Sequence, residues 1–226
     1  MQILVGDGSG KNLIKFCKEH QVGRMFSANW PKLYEGEPWG FDNRAFIYWS
    51  KAGRPFPNPG GEFNETDFLK RLDKALLNPL PYIAVTPDIV AGGMKSLELS
   101  DGWIKRLPSD FPWYLAVQDG MDVASVIESL ANYQGIFLGG TDNYKRYAGY
   151  WCKIAHHFGK KFHYGRAGTL NKVAHAIRID ADSLDSSFPL WTKDRLFSFI
   201  QSFSQMHFDG LVTLHEHPTG GCGFLC

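Results

Sequence analysis

The sequence predicts a compact (β/α)8 barrel, a TIM-like fold, as a single domain over residues 1–226 with a short C-terminal tail at about 207–226. Three observations carry that expectation. Eight short strand-like runs recur along the chain, amphipathic helical patterns separate most of them, and 226 residues suffice for one sizeable core. A doubly wound open sheet is the alternative that the same alternation allows.

The first strand-like run is ILVG (3–6), before a helical pattern at about 10–20. RMFSA (24–28) and GFDNRAF (40–46) come next. The stretch 47–63, IYWSKAGRPFPNPGGEF, is rich in Pro and Gly and reads as a long loop. NETDFLKRLDKALL (64–77) is the clearest helix: Asn64 or Thr66 caps it, and Phe68, Leu69, Leu72, Ala75 and Leu76 recur at helical spacing. Beyond it, YIAVTPDI (82–89), WYLAVQ (113–118), GIFLGG (135–140), KFHYGRA (161–167) and DSLDSS (182–187) read as strands. Helical patterns fall between them at about 94–106, 121–132, 143–158 and 169–178, with a last one at 192–206. Short apolar strands between amphipathic helices imply parallel βαβ units.

Composition narrows the function classes. A net charge of +1 excludes a strongly basic nucleic-acid binder and leaves only a local patch open. No apolar run approaches the roughly 18 residues of a membrane span, so no membrane association is expected. The opening MQILVGDGSGKN lacks the pattern of a secretory leader, and Cys17, Cys152, Cys222 and Cys226 show no disulfide spacing. Both point to a reducing, cytoplasmic setting.

In such a barrel, chemistry gathers at the C-terminal ends of the strands. Read in order, those ends carry Asp42, Asp88, Gln118 with Asp119, Gly139 with Gly140, Arg166, and Asp185. VGDGSGKN fails as a phosphate loop: Val5 stands where the first Gly is needed, and Asn12 follows Lys11. His215, His217, Cys222 and Cys226 could ligate zinc, but their spacing matches no zinc finger, so neither a metal nor a cofactor is expected. Gly139 and Gly140 would let a ligand approach the backbone closely. The Gln118 amide both donates and accepts, as a planar heterocycle requires. Lys160, Lys161, His163 and Arg166, with Lys145 and Arg146, form a basic run that could hold phosphates. Trp39, Tyr48, Trp49 and Tyr164 are read as core residues before stacking platforms.

Several segments, in order, resemble the tRNA-guanine transglycosylase superfamily. WGFDNRAF is similar to its Asp-Ser-Gly-Gly-Phe segment, AVTPDIV to the strand ending in its base-recognising Asp, and YLAVQDG to its Val-Gln-Gly-Gly. IFLGG is similar to its Val-Gly-Gly, FHYGRAG to its Gly-Val-Gly turn, and DSLDSS to its Asp-x-x-Asp-Cys. The likeness runs from about residue 36 to 190. It implies that Asp185 is the nucleophile and that Asp42 contacts the base and assists proton transfer. By the same likeness, Asp88 and Gln118 bind a guanine-type base, and the backbone at Gly139 and Gly140 closes on it. Asn43 and Arg44 replace the family's Ser-Gly, Asp119 a Gly and Ser186 the Cys, all near the base pocket. The family's zinc module has no counterpart in these residues. That shifts the expected partner from tRNA to DNA, as in the small relatives that handle 7-deazaguanine.

The chemistry implied is cleavage of a base–sugar bond. Charge builds up on the sugar; a carboxylate can attack C1′ while an acid protonates the leaving base. Asp185 and Asp42 take those roles, and the base must be flipped out of the stack. Asp182 and Asp180 are expected to be structural. The favoured reading is base exchange with a free base as co-substrate. The alternatives are a DNA glycosylase that excises a modified base and leaves an abasic site, for example in phage defence; a silent nucleic-acid-binding module; and a barrel hydrolase of a small glycoside.

Overall fold

The computed structural model describes residues 1–27, 32–58 and 63–188, and the isolated positions 198 and 201. It is a closed, all-parallel barrel of eight strands in sequence order, in which the last strand pairs with the first. The strands are β1 (Gln2–Gly6), β2 (Gly23–Phe26), β3 (Gly40–Phe41), β4 (Ile83–Val85), β5 (Trp113–Val117), β6 (Gly135–Leu138), β7 (Lys161–Tyr164) and β8 (Ser183–Ser186). The helices are α1 (Lys11–His20), α2 (Ala45–Lys51), α3 (Glu65–Ala75), α4 (Met94–Ile104), α5 (Val123–Ser129), α6 (Ala148–His157) and α7 (Leu170–Arg178). Single 3-10 turns stand at Leu130–Asn132 and Tyr144–Tyr147. The expected barrel is therefore the observed one, and the open sheet is ruled out.

Three expectations are corrected; the fourth strand, expected to run to 89, ends at Val85, so Asp88 stands in the loop beyond it. The third strand does not run to 46 but stops at Phe41, and α2 begins four residues later. Residues 45–51, read as strand end and loop, are helical. The chain turns there because Asp42 Oδ1 accepts the Arg44 N–H at 2.6 Å while Arg44 takes the left-handed conformation, φ 69°. Asp residues favour such local turns over strand pairing. The helix expected at 192–206 and the tail with its His and Cys residues lie, apart from 198 and 201, outside the described residues.

Capping fixes the helix starts. Asn64, not Thr66, caps α3 by accepting the Asp67 N–H; Asp122 caps α5 and Thr169 caps α7 in the same way. The buried stripe of α3 is Phe68, Arg71, Leu72 and Ala75, while Leu69 and Leu76 are exposed. An arginine thus takes a place that periodicity would give to a leucine.

Strand alternation sorts the core into an outer and an inner layer. Ile3, Val5, Leu115, Val117, Ile136, Leu138 and Leu184 pack in the large cluster with residues of α1, α5, α6 and α7. The intervening residues Leu4, Met25, Ile83, Val85, Tyr114 and Ala116 form a separate cluster with Phe137 against it, which fills the barrel. On β7 and β8 the matching inward positions are polar: His163, Ser183 and Asp185. One sector of the barrel interior is therefore chemical rather than apolar. Among the described residues, no helix is long and apolar enough to cross a membrane.

Candidate active site

Asp185 is the third residue of β8, and its alternation with Leu184 points it into the barrel. Its Oδ1 accepts from His163 Nε2 at 3.0 Å and from the Arg166 N–H at 2.9 Å. Among the described residues no donor reaches Oδ2, so one oxygen is anchored and the other faces the cavity. His163 is fully buried, stacks on Phe137 with ring centroids 4.9 Å apart, and bonds Ser183 Oγ at 2.8 Å through Nδ1. With Nε2–H given to Asp185, Nδ1 is left to accept from the Ser183 hydroxyl. Burial alone would raise the Asp185 pKa. The His163 hydrogen bond, the Arg166 N–H and the nearby Lys145 charge outweigh it and hold the carboxyl below its ordinary range.

Asp42, at the end of β3, lines the same cavity of about 640 Å³ as Asp185. Its carboxyl is shifted the other way. Burial raises its pKa, and the negative charge of Asp185 adds to the rise against the opposing Arg44 N–H and Arg71 and Arg166 charges. Buried Arg71 positions it from α3, donating through Nη2 to the Asp42 carbonyl at 2.6 Å and to the Phe26 carbonyl at 3.1 Å. This explains the arginine in the α3 stripe. Two acids on one cavity are thus pushed apart in acidity, the arrangement that lets one carboxyl donate a proton while another stays ionised.

Asp88 is raised to about 7, mainly by burial. Both of its oxygens are taken: Oδ1 accepts from Asn43 Nδ2 at 2.7 Å and Oδ2 from Gln118 Nε2 at 2.9 Å. Gln118 also accepts the Ala91 N–H at 2.6 Å and donates to Ser96 Oγ at 2.9 Å. Asp88, Gln118, Gly139 and Gly140 share a small cavity of about 40 Å³ with Asp42 and Arg166. Here Gln118 and Asp88 hold each other and the turn that follows β4. A base edge would reach them only if they released one another.

The two glycines differ. At Gly140 the backbone has φ 76°, and an added Cβ would stand 2.5 Å from Asp119 Oδ2. At Gly139 the nearest atom to an added Cβ is 3.5 Å away. The fold requires Gly140; at Gly139, which lines the small cavity, a Cβ would meet only ordinary van der Waals contacts. Asp119 secures this turn, accepting from the Thr141 N–H and hydroxyl at 2.7 Å each.

The basic run does not form one patch. Arg166 sits among the acids with φ 54°; its guanidinium donates to the Gly140 carbonyl at 2.7 Å and lies 4.2 Å from the Phe46 ring centroid. Lys145 is buried in the cavity wall and bonds the Gly165 carbonyl. Arg146 is exposed and does not line the cavity. Lys160 and Lys161 stand at the opposite end of β7, bonding the Tyr133 carbonyl and Asp182. The correction is geometric: β7 lies between Lys161 and Arg166, and a four-residue strand spans roughly 13 Å. The cations that do line the cavity are Arg44, Arg54, Lys145, Arg166 and Lys172.

From sequence, His163 stands only in the basic run and Asn43 only as a replacement near the base pocket, while Arg71 carries no site role; the parts they play beside Asp185, Asp88 and Asp42 come from the fold. His163 had a signal as a polar residue between two aromatics on a strand, one position before its end; Arg71 had one in its place on a buried helical stripe.

Fold and site together define a (β/α)8 barrel whose C-terminal mouth holds a cavity with carboxylates of opposed acidity. No protein-family model matches the chain, and no curated protein or solved structure matches it significantly.

Proposed function

We propose that this chain is an enzyme of the tRNA-guanine transglycosylase type that breaks the base–sugar bond of a flipped-out guanine-type or modified base in DNA. The observation that carries the reading is the pairing of Asp185 and Asp42 on one cavity, the first held ionised and the second held towards its protonated form. Asp185 Oδ2 attacks C1′ as Asp42 protonates the leaving base. His163 and the Arg166 N–H keep the attacking carboxylate in place. Arg166 balances the three acids while the covalent sugar forms. An incoming free base then resolves the ester; water would leave an abasic site instead.

The test is denaturing capture of the reaction on DNA with normal and 7-deazaguanine bases. A covalent adduct on Asp185 supports the reading. Added free base should divert it to a base-exchanged strand in a transferase and leave abasic sites in a glycosylase. Full activity of Asp185→Ala would overturn the mechanism.

A second reading, a hydrolase of free N-glycosides, is favoured by the cavity's charge balance. Arg44 and Lys172 are paired with Asp67 and Asp142, which leaves Arg54 as the exposed lining cation without an ion pair among the described residues. Release of base from nucleosides faster than from oligonucleotides would select it.

A further inference from the structure

We propose a second chemical step in the same cavity: Lys145 condenses with the aldehyde carbon of an abasic deoxyribose and cuts the DNA strand by β-elimination. The inference rests on the glycosidic reading in its base-excising form. Lys145 lines the cavity together with Asp42 and Asp185, and base release asks nothing of it beyond its charge near Asp185. It is 4% exposed, and among the described residues its Nζ bonds a backbone carbonyl, that of Gly165, and no carboxylate. The other lysine of the cavity, Lys172, is ion-paired with Asp142 at 2.7 Å.

Four charged groups bear on Lys145: Arg166 and Lys172 disfavour its charge, and Asp185 and Asp142 favour it. Burial, then Arg166, prevails and brings its pKa down to about 7. Lys145 therefore gives up its proton more readily than an ordinary lysine, and the unprotonated amine is the form that attacks carbonyls.

An abasic site left by base release exists partly as the open-chain aldehyde. The Lys145 nitrogen pair adds to C1′ to give a carbinolamine. Proton donation from Asp42 expels its oxygen as water and leaves a protonated imine. A carboxylate then takes a proton from C2′. The electron pair forms the C2′–C3′ double bond as the C3′–O bond breaks and the 3′ phosphate departs. Water hydrolyses the imine, returning the lysine and an unsaturated aldehyde. No oxidant or reductant enters the cycle.

The experiment supplies a DNA oligonucleotide with one ready-made abasic site to the full chain, with and without cyanoborohydride. The expected result is a reduced covalent adduct mapped by peptide mass analysis to Lys145, and strand cutting when the reductant is omitted. Lys145→Arg and Lys145→Met, checked for unchanged melting, should lower trapping by about 100-fold or more. No adduct, or an adduct on another lysine or the N-terminus, overturns the proposal. Mapping on the unaltered protein keeps the test decisive if both variants misfold. Because the abasic site is supplied, the two readings fail separately. Trapping without any base release sinks the glycosidic reading alone, and base release without trapping sinks the lyase step alone.

Discussion

Asp182 and Asp185 are three residues apart and sit at opposite ends of β8. Their side chains are almost equally exposed, 17% and 16%, and both are held more acidic than an ordinary Asp. Each also borders a cavity, about 420 Å³ at the N-terminal end and about 640 Å³ at the mouth. What separates them is company. Asp182 is surrounded by its partners: His156 and Lys161, with side chains 38% and 64% exposed, and the Phe162 N–H. Asp185 is anchored through one oxygen by a fully buried imidazole and faces a second acid of opposite tendency. An acidic residue near a cavity is therefore uninformative by itself. A free oxygen and a carboxyl neighbour with a raised pKa give it chemical meaning.

The largest break in this comparison comes from the pair Asp185→Asn and Asp182→Asn. Base release should fall by about 10³–10⁴-fold in the first and stay within about twofold in the second, measured as single-turnover rates. Equal losses would mean that company does not distinguish the two ends.

Asp42→Asn should slow base release by about 10²–10⁴-fold. The pH profile sharpens this. The role assigned to Asp42 needs its proton, so wild-type activity should fall as pH rises through its raised pKa, and the variant should lack that alkaline limb.

Stability should carry the same signature. Asp88 ionises near 3.8 in the unfolded chain but near 7 in the fold. Between those values the native state holds the extra proton, so unfolding free energy falls as pH climbs from about 4 to about 7 and flattens above. The drop attributable to Asp88 is a few kcal/mol, and Asp88→Ala should abolish it in denaturant melts at pH 5 and pH 8. Asp182 works in the other direction: its contribution is present above the ordinary carboxyl value and is lost as pH falls through its lowered one. With exposed partners, Asp182→Asn should cost under about 1 kcal/mol at neutral pH.

The smallest effect divides the glycines. Gly140→Ala should cost about 1–3 kcal/mol through strain and the Asp119 clash. Gly139→Ala should cost less than about 1 kcal/mol, with any loss confined to substrate binding.

Much of this was legible in the chain. Strand runs of period two and helices of period 3.6 each bury one side, so their alternation carries the barrel. Polar ends on apolar strands marked Asp42, Asp88, Gln118 and Asp185. The third strand misled because Asp42 turns the backbone back on itself, and a side-chain-to-backbone bond of that kind leaves no periodic trace.

The linear pattern determined by itself the layer order, the parallel sheet and the strand ends at which polar groups gather, because these depend on periodicity and chain direction alone. Only the closed barrel decided the rest. Pairing β8 with β1 and β7 set His163 beside Asp185. The length of β7 sent Lys161 and Arg166 to opposite ends. Bringing Asp42, Asp88 and Asp185 into one desolvated mouth with Arg166 and Lys145 set which acid is held ionised. Those outcomes depend on distances between residues far apart in the chain and on removal from water, and neither quantity exists until the fold is complete.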